Sequence, residues 1–258
     1  MRFIDTHAHM YSEQFSEDQD KAMDRAFLSG IDRILLPNVD MESVDALHDL
    51  CKRYPKNCFP MMGLHPCSVK EDFKEQLASL KALLFSQEYI AVGEIGIDLH
   101  WDKATLAWQQ EAFRTQIAWA KEKDLPIVIH ARESFQEIFD ILDEINDNSL
   151  RGVFHCFNGD VDQAKHIQSY GGFMMGIGGV LTYKNSGLKE TLAQIPIEKI
   201  ILETDAPYLA PVPFRGKRNE SSYLIEVAIE MSKIYDIPLL AIAEITSSNA
   251  IDLFRLNV

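Results

Sequence analysis

The sequence predicts an α/β chain folded as a single (β/α)8 TIM barrel. Three observations carry that prediction. Short apolar, β-rich runs alternate with longer amphipathic runs from one end to the other, the pattern of repeated βα units. There are eight such short runs, and 258 residues is a length that α/β barrels commonly use as one domain. No Gly-rich loop follows the first run, which counts against the competing arrangement, an open doubly wound sheet.

The first strand is expected at Arg2–Asp5, and the helical pattern near Glu17–Ser29 that follows it is stopped by Gly30. A second strand at Arg33–Pro37 leads into Met41–Tyr54, ended by Pro55. The third strand, Phe59–Leu64, precedes a helix near Lys70–Ser86. The fourth, Ile90–Ile95, precedes Ala104–Lys123, which Asp124-Leu125-Pro126 terminates. Pro126–His130 with Glu133–Asn146, Gly152–His155 with Val161–Tyr170, and Gly172–Ile177 with Gly187–Gln194 make the next three units. The eighth strand, Lys199–Glu203, is followed by two helical patterns, about Glu220–Tyr235 and Pro238–Leu253. Every strand candidate is rich in Ile, Val, Leu, Phe or Met. No low-complexity tract or flexible linker interrupts the alternation, so residues 1–258 read as one domain.

Composition excludes several classes. Hydrophobic residues at 47% and charged residues at 25% rule out a disordered or fibrous chain. Asp5 and His7 interrupt the N-terminal apolar stretch before it reaches signal-peptide length, and no later stretch approaches a membrane span, so a cytoplasmic protein without membrane association is expected. Cys51, Cys58, Cys67 and Cys156 lack CxxC spacing and read as free thiols. A net charge of −14 counts against broad, sequence-independent nucleic-acid binding, though not against a local basic or metal-bearing cleft. No obligate protein partner is evident.

The chemically capable residues fall at one end of the predicted strands. His7 and His9 follow the first strand, His65 the third, Glu94 lies at the end of the fourth, His130 and His155 close the fifth and sixth, and Asp205 follows the eighth. In a (β/α)8 barrel those C-terminal ends share one mouth, the face where active sites are found. A single histidine at a strand end is usually a core or rim residue. Five histidines and two carboxylates on one face are hard to explain that way. His48 and His166 lie in helical patterns, and His100 in the loop after the fourth strand is left without a role.

His7, His9, Glu94, His130, His155 and Asp205 are more ligands than one tetrahedral zinc can use, and they suit two divalent ions sharing a carboxylate. Nitrogen and oxygen donors without thiolate admit Zn, Mn or Mg. Such a pair activates water and holds the oxygens of an in-line displacement, which is hydrolytic chemistry. Glu203, two residues before Asp205, would sit behind it and orient a ligand if strand character persists. Arg132 and the run Arg215-Gly216-Lys217-Arg218 could bind phosphate on the rim, with His65 beside the substrate. Gly176, Gly178 and Gly179 would let a ligand approach the backbone.

With these residues assembled, the sequence resembles the TatD family of metal-dependent deoxyribonucleases, within the amidohydrolase-like barrels. The matching segments are Asp5-Thr6-His7-Ala8-His9, Gly63-Leu64-His65-Pro66, Gly93-Glu94-Ile95-Gly96-Ile97-Asp98, His130-Ala131-Arg132, His155-Cys156-Phe157-Asn158-Gly159, Leu202-Glu203-Thr204-Asp205-Ala206-Pro207-Tyr208-Leu209 and Arg215-Gly216-Lys217-Arg218-Asn219-Glu220. They span nearly the whole chain, in order. The resemblance implies a two-metal phosphodiesterase acting on DNA, single-stranded or at 3′ ends, as a 3′-5′ exodeoxyribonuclease with Glu94 bridging the ions. Asp205 would accept the proton of the attacking water.

Two departures stand out. Ser221 replaces the family's proline after Asn219-Glu220, which would loosen the anchoring of the basic loop, and Leu99-His100-Trp101 stands where many relatives carry tyrosines. The alternative function on the same metal barrel is an amidohydrolase or esterase, such as an aminoacyl-tRNA deacylase.

Overall fold

A computed structural model describes residues 2–256. The eight expected strands are present as β1 (Phe3–Asp5), β2 (Ile31–Leu36), β3 (Cys58–Pro60), β4 (Val92–Asp98), β5 (Ile127–Arg132), β6 (Gly152–Phe154), β7 (Phe173–Ile177) and β8 (Ile200–Leu202). They form two parallel sheets, β1-β2-β3 and β4-β5-β6-β7-β8. Both seams between the sheets are bridged. Met62 pairs in parallel with Val92 between β3 and β4, and Ala8 pairs with Ala206 between β8 and β1. Backbone hydrogen bonds from Thr6 N to Leu202 O (3.0 Å) and from Gly93 N to Met62 O (3.0 Å) reinforce them. The ladder therefore runs round a ring, the closed arrangement and not the open sheet.

Nine α-helices are found among the described residues: α1 (Gln19–Leu28), α2 (Val44–Arg53), α3 (Phe73–Ser86), α4 (Leu106–Lys123), α5 (Phe135–Ile145), α6 (Val161–Ser169), α7 (Leu188–Leu192), α8 (Leu224–Tyr235) and α9 (Leu239–Phe254). None is long and apolar enough to cross a membrane alone. The four cysteines are free thiols.

Most strand bounds shift by one or two residues, and two strands end three or more residues from where they are expected. The third ends at Pro60, because beyond it only Met62 finds a partner across the seam. The fourth runs on to Asp98, because β5 continues to Arg132 and pairs with it through Gly96↔His130 and Asp98↔Arg132. Glu94 is consequently an interior residue of β4.

The core divides in two. A large cluster fills the space between strands and helices. A second contains Ile4, Leu35, Met61, Ala91, Val128, Val153 and Ile201, drawn from strands all round the ring, together with Ala250, Leu253 and Phe254 of α9 and Leu256. These are the inward side chains of the barrel, and α9 covers the end opposite the strands' C-termini.

Candidate metal centre

Strand geometry puts the reactive residues one layer above that apolar floor. Val128 and His130, Val153 and His155, and Ile201 and Glu203 are each two residues apart and share the inward face. His7 and His9 are brought together with them, their rings 5.2 Å apart at centroid, and His7 stacks on His155 at 3.7 Å.

Glu94, 2% exposed, lies at the centre, and its two oxygens face different histidines. Oε2 is 3.1 Å from His7 Nε2 and 3.6 Å from His9 Nε2. Oε1 is 2.7 Å from His130 Nδ1, 3.1 Å from His155 Nε2 and 3.3 Å from His65 Nε2. Asp205 closes the first side, with Oδ1 at 3.8 Å from His7 Nε2 and 3.7 Å from His9 Nε2. It does not arrive by continued strand, as alternation from Glu203 would require. β8 has ended, Asp205 adopts a left-handed φ of 57°, and its N–H donates to His7 O at 2.8 Å.

Hydrogen-bond partners decide where each imidazole carries its proton. The Tyr11 hydroxyl donates to Pro37 O (2.6 Å), so it accepts from His9 Nδ1 (3.0 Å) and leaves the Nε2 lone pair of His9 free. His155 Nδ1 donates to Glu203 Oε1 (3.1 Å), freeing Nε2, and His130 Nε2 donates to Asp98 Oδ2 (2.9 Å), freeing Nδ1. All three free nitrogens face Glu94. His65 is wired oppositely. Its Nδ1 accepts from Cys67 N–H (3.1 Å), so the neutral ring carries its proton on Nε2, the atom that faces Glu94 and His130.

Three donor sets could hold a metal ion by proximity: His7, His9 and Glu94; His65, Glu94 and His130; and His7, His155 and Glu203. Carboxylate oxygens and imidazole lone pairs converging in a buried mouth fit a divalent cation. In the second set, His65 presents an N–H and not a lone pair, which leaves Glu94 and His130 as the members that could ligate. His7 Nδ1 and Glu203 Oε2 are buried without hydrogen-bond partners, as befits a site that a cation completes.

Electrostatics fit the same picture. Burial alone would raise the Glu94 carboxyl, but the charges of His155, His65 and His7 hold it well below the usual carboxylate range. Burial likewise opposes charge on His155, yet Glu94 and Glu203 push it well above the ordinary imidazole value, so without a cation the ring holds a second proton on Nε2, which a bound metal ion would displace. Burial, then His155, lowers His7 to about 4. Asp205 is raised to about 6 by burial.

On the rim, Arg132 is the last residue of β5 and Arg215 lies in the loop after β8. Both are exposed, and neither is paired with an acid among the described residues. Each instead lies over an aromatic ring, Arg132 Cζ 5.4 Å from Trp101 and Arg215 Cζ 4.4 Å from Tyr183. Arg218 is not available to a phosphate. Its guanidinium binds both oxygens of Asp18 at 2.6 and 2.9 Å and covers Phe15. With Arg25 bonded to Glu220 at 2.8 and 2.6 Å, it anchors the loop to the start of α1 in spite of Ser221. Gly176 serves packing and not a ligand: a Cβ there would lie 2.2 Å from Glu203 Oε2.

Three contributors went unassigned in the sequence. Asp98 was discoverable, standing four residues after Glu94 on the same strand face. Asp5 accepts from Thr204 N (3.0 Å) and Oγ1 (2.6 Å), tying β1 to the β8 turn. Burial raises its carboxyl to about 7. Tyr11 carries no local signal, since its role depends on meeting Pro37 O.

A parallel barrel whose mouth gathers these donors defines a metal-dependent hydrolase. The chain belongs to the TatD related DNase family, whose model matches residues 4–255. It is 37% identical over 255 residues to the metal-dependent hydrolase YabD of Bacillus subtilis, covering 98% of this chain and 99% of that one. It is 30% identical over 260 residues to the 3′-5′ ssDNA/RNA exonuclease TatD of Cronobacter turicensis, covering 98% of each. The crystal structure of YjjV, a TatD homolog from Escherichia coli K12, superposes with a TM-score of 0.93 at 30% identity over 99% of both chains.

Proposed function

We propose that this single-domain barrel is a cytoplasmic two-metal phosphodiesterase that cleaves DNA, releasing nucleotides from 3′ ends. The observation that carries the reading is the division of Glu94, whose Oε2 serves His7 and His9 and whose Oε1 serves His130 and His155. His7, His9, Glu94 and Asp205 are read as the ligands of one ion, and Glu94, His130 and His155 as those of the other. Zn, Mn or Mg held there supplies a nucleophile from water near neutral pH and counters the charge gathering on the phosphate. Asp205, the carboxylate that closes the first ligand set beside His7 and His9, would accept the proton of the attacking water. Glu203, Asp98 and Tyr11 fix the ligand imidazoles. His65 Nε2–H, Arg132 and Arg215 bind phosphate oxygens. The exonuclease named in Cronobacter supports nucleic acid as substrate.

The test is incubation of metal-loaded protein with end-labelled single-stranded DNA. Release of nucleotides from the 3′ end is expected, and no release with Mg2+, Mn2+ or Zn2+ overturns the reading. Glu94→Ala is expected to abolish turnover and lower bound metal in elemental analysis, whereas full activity would show the ligand assignment wrong.

The net charge of −14 favours a second reading, an esterase or amidohydrolase such as an aminoacyl-tRNA deacylase. Charge reversal at Arg215 and Lys217 discriminates the two. It should impair a phosphodiesterase much more than an enzyme acting on an uncharged small ester, whereas a deacylase, whose tRNA substrate is also a polyanion, is told apart by release of the amino acid from charged tRNA without loss of nucleotides.

A further inference from the structure

Trp101 leaves 70% of its surface exposed, the largest share of any aromatic side chain among the described residues. A lone exposed apolar side chain is ordinary, so its placement must carry the argument. It stands in the loop after β4, on the face where the histidines gather. The backbone N–H groups of His100 and Trp101 both donate to Asp98 Oδ1, at 2.9 and 3.0 Å. The other oxygen of that carboxylate holds His130. Trp101 is thus joined to the histidine cluster through one side chain. The indole is also braced. His100 packs edge-on against it at 5.0 Å and is itself paired with Glu133 at 2.7 Å, and the Arg132 guanidinium lies over the ring. A large exposed aromatic face, held in place beside an unpaired cation, suits a planar ligand joined to an anion.

We propose that Trp101 is a stacking platform for an unpaired nucleobase adjoining the scissile phosphate, which Arg132 contacts at the same time. Such a platform needs an unstacked base, because a base in a duplex is already stacked, and so it would serve the single-stranded substrate of the reading above. The inference rests on the phosphodiesterase reading above. The Arg215–Tyr183 pair, on loops after β7 and β8, lies across the ring from the β4 and β5 loops, so the strand has a second aromatic–cation contact beyond the cluster.

The test uses single strands carrying one abasic position, moved along the chain a nucleotide at a time. For wild-type protein, removing the base that meets Trp101 is expected to lower kcat/KM by about 5- to 100-fold. In Trp101→Ala the intact and abasic strands should be cleaved with a ratio near one, and Trp101→Phe should restore most of the discrimination. Discrimination that persists in Trp101→Ala overturns the platform. A binding arm separates this failure from failure of the phosphodiesterase reading: titration of wild type and Trp101→Ala with a single-stranded oligothymidylate, without turnover. Weaker binding by the variant, with quenching of tryptophan fluorescence lost, supports the platform even if no strand is cleaved. Equal dissociation constants overturn it.

Discussion

Proton placement is what separates the histidines of the mouth from one another. His9, His130 and His155 each give one N–H to a named partner and turn a lone pair inward, while His65 accepts from Cys67 N–H and turns an N–H inward. The two wirings predict different mutants. Asp98→Ala removes the acceptor that fixes the His130 tautomer and should cost about 10–100-fold in metal affinity or activity. Equilibrium dialysis against a metal buffer, run beside the nuclease assay, measures both. His65→Ala should instead lower kcat/KM while the metal content stays that of wild type. Metal loss in that variant would make His65 a ligand and remove the distinction drawn from its tautomer.

At the level of elements, the site depends on two supports outside it. One is α9, whose Phe254, 3% exposed, packs with Val128, Val153 and Ile201 directly below the ligand layer. Phe254→Ala should destabilise the protein by about 3–5 kcal/mol through lost burial and the cavity left behind, readable in urea unfolding. The other is the ion-pair network that joins the loop after β8 to α1. Hydrogen bonding by Arg218 and then Arg25 holds the Asp18 carboxyl far below its usual range, and Arg25 holds Glu220 low against burial. A carboxylate lowered in the folded state stabilises fully above its unfolded value, ~4, and progressively less as pH falls through the folded value. Amide protection factors, referred to the intrinsic rate at each pH, should therefore fall in residues 211–223 on acidification below about pH 4. In Asp18→Asn the same segment should already exchange faster at neutral pH.

For the whole molecule, cations held between β1, β4, β5, β6 and the β8 turn would clasp distant parts of the chain. A ligand at 100 times its Kd stabilises the native state by about 2.7 kcal/mol. For a chain of this size, chelation should then lower Tm by about 5–10 °C, at about 2–4 °C per kcal/mol. An unchanged Tm on chelation would mean that no cation binds preferentially to the folded protein.

The sequence by itself determined the eight βα units, the mouth and the residues gathered there, because short apolar runs and amphipathic helical patterning are local and barrel topology sends every strand end to one face. The motif Gly93–Asp98 even held Asp98 in view, on the same strand face as Glu94. Tertiary structure alone decided three things. It joined the seams through Met62–Val92 and Ala8–Ala206, single bridges that leave no pattern in sequence. It withdrew Arg218 from the rim by supplying Asp18, 200 residues away. It also set the tautomers of His9, His130 and His155, since the placement of a proton depends on the atom opposite the ring, and Tyr11, Asp98 and Glu203 meet those rings only when the barrel closes.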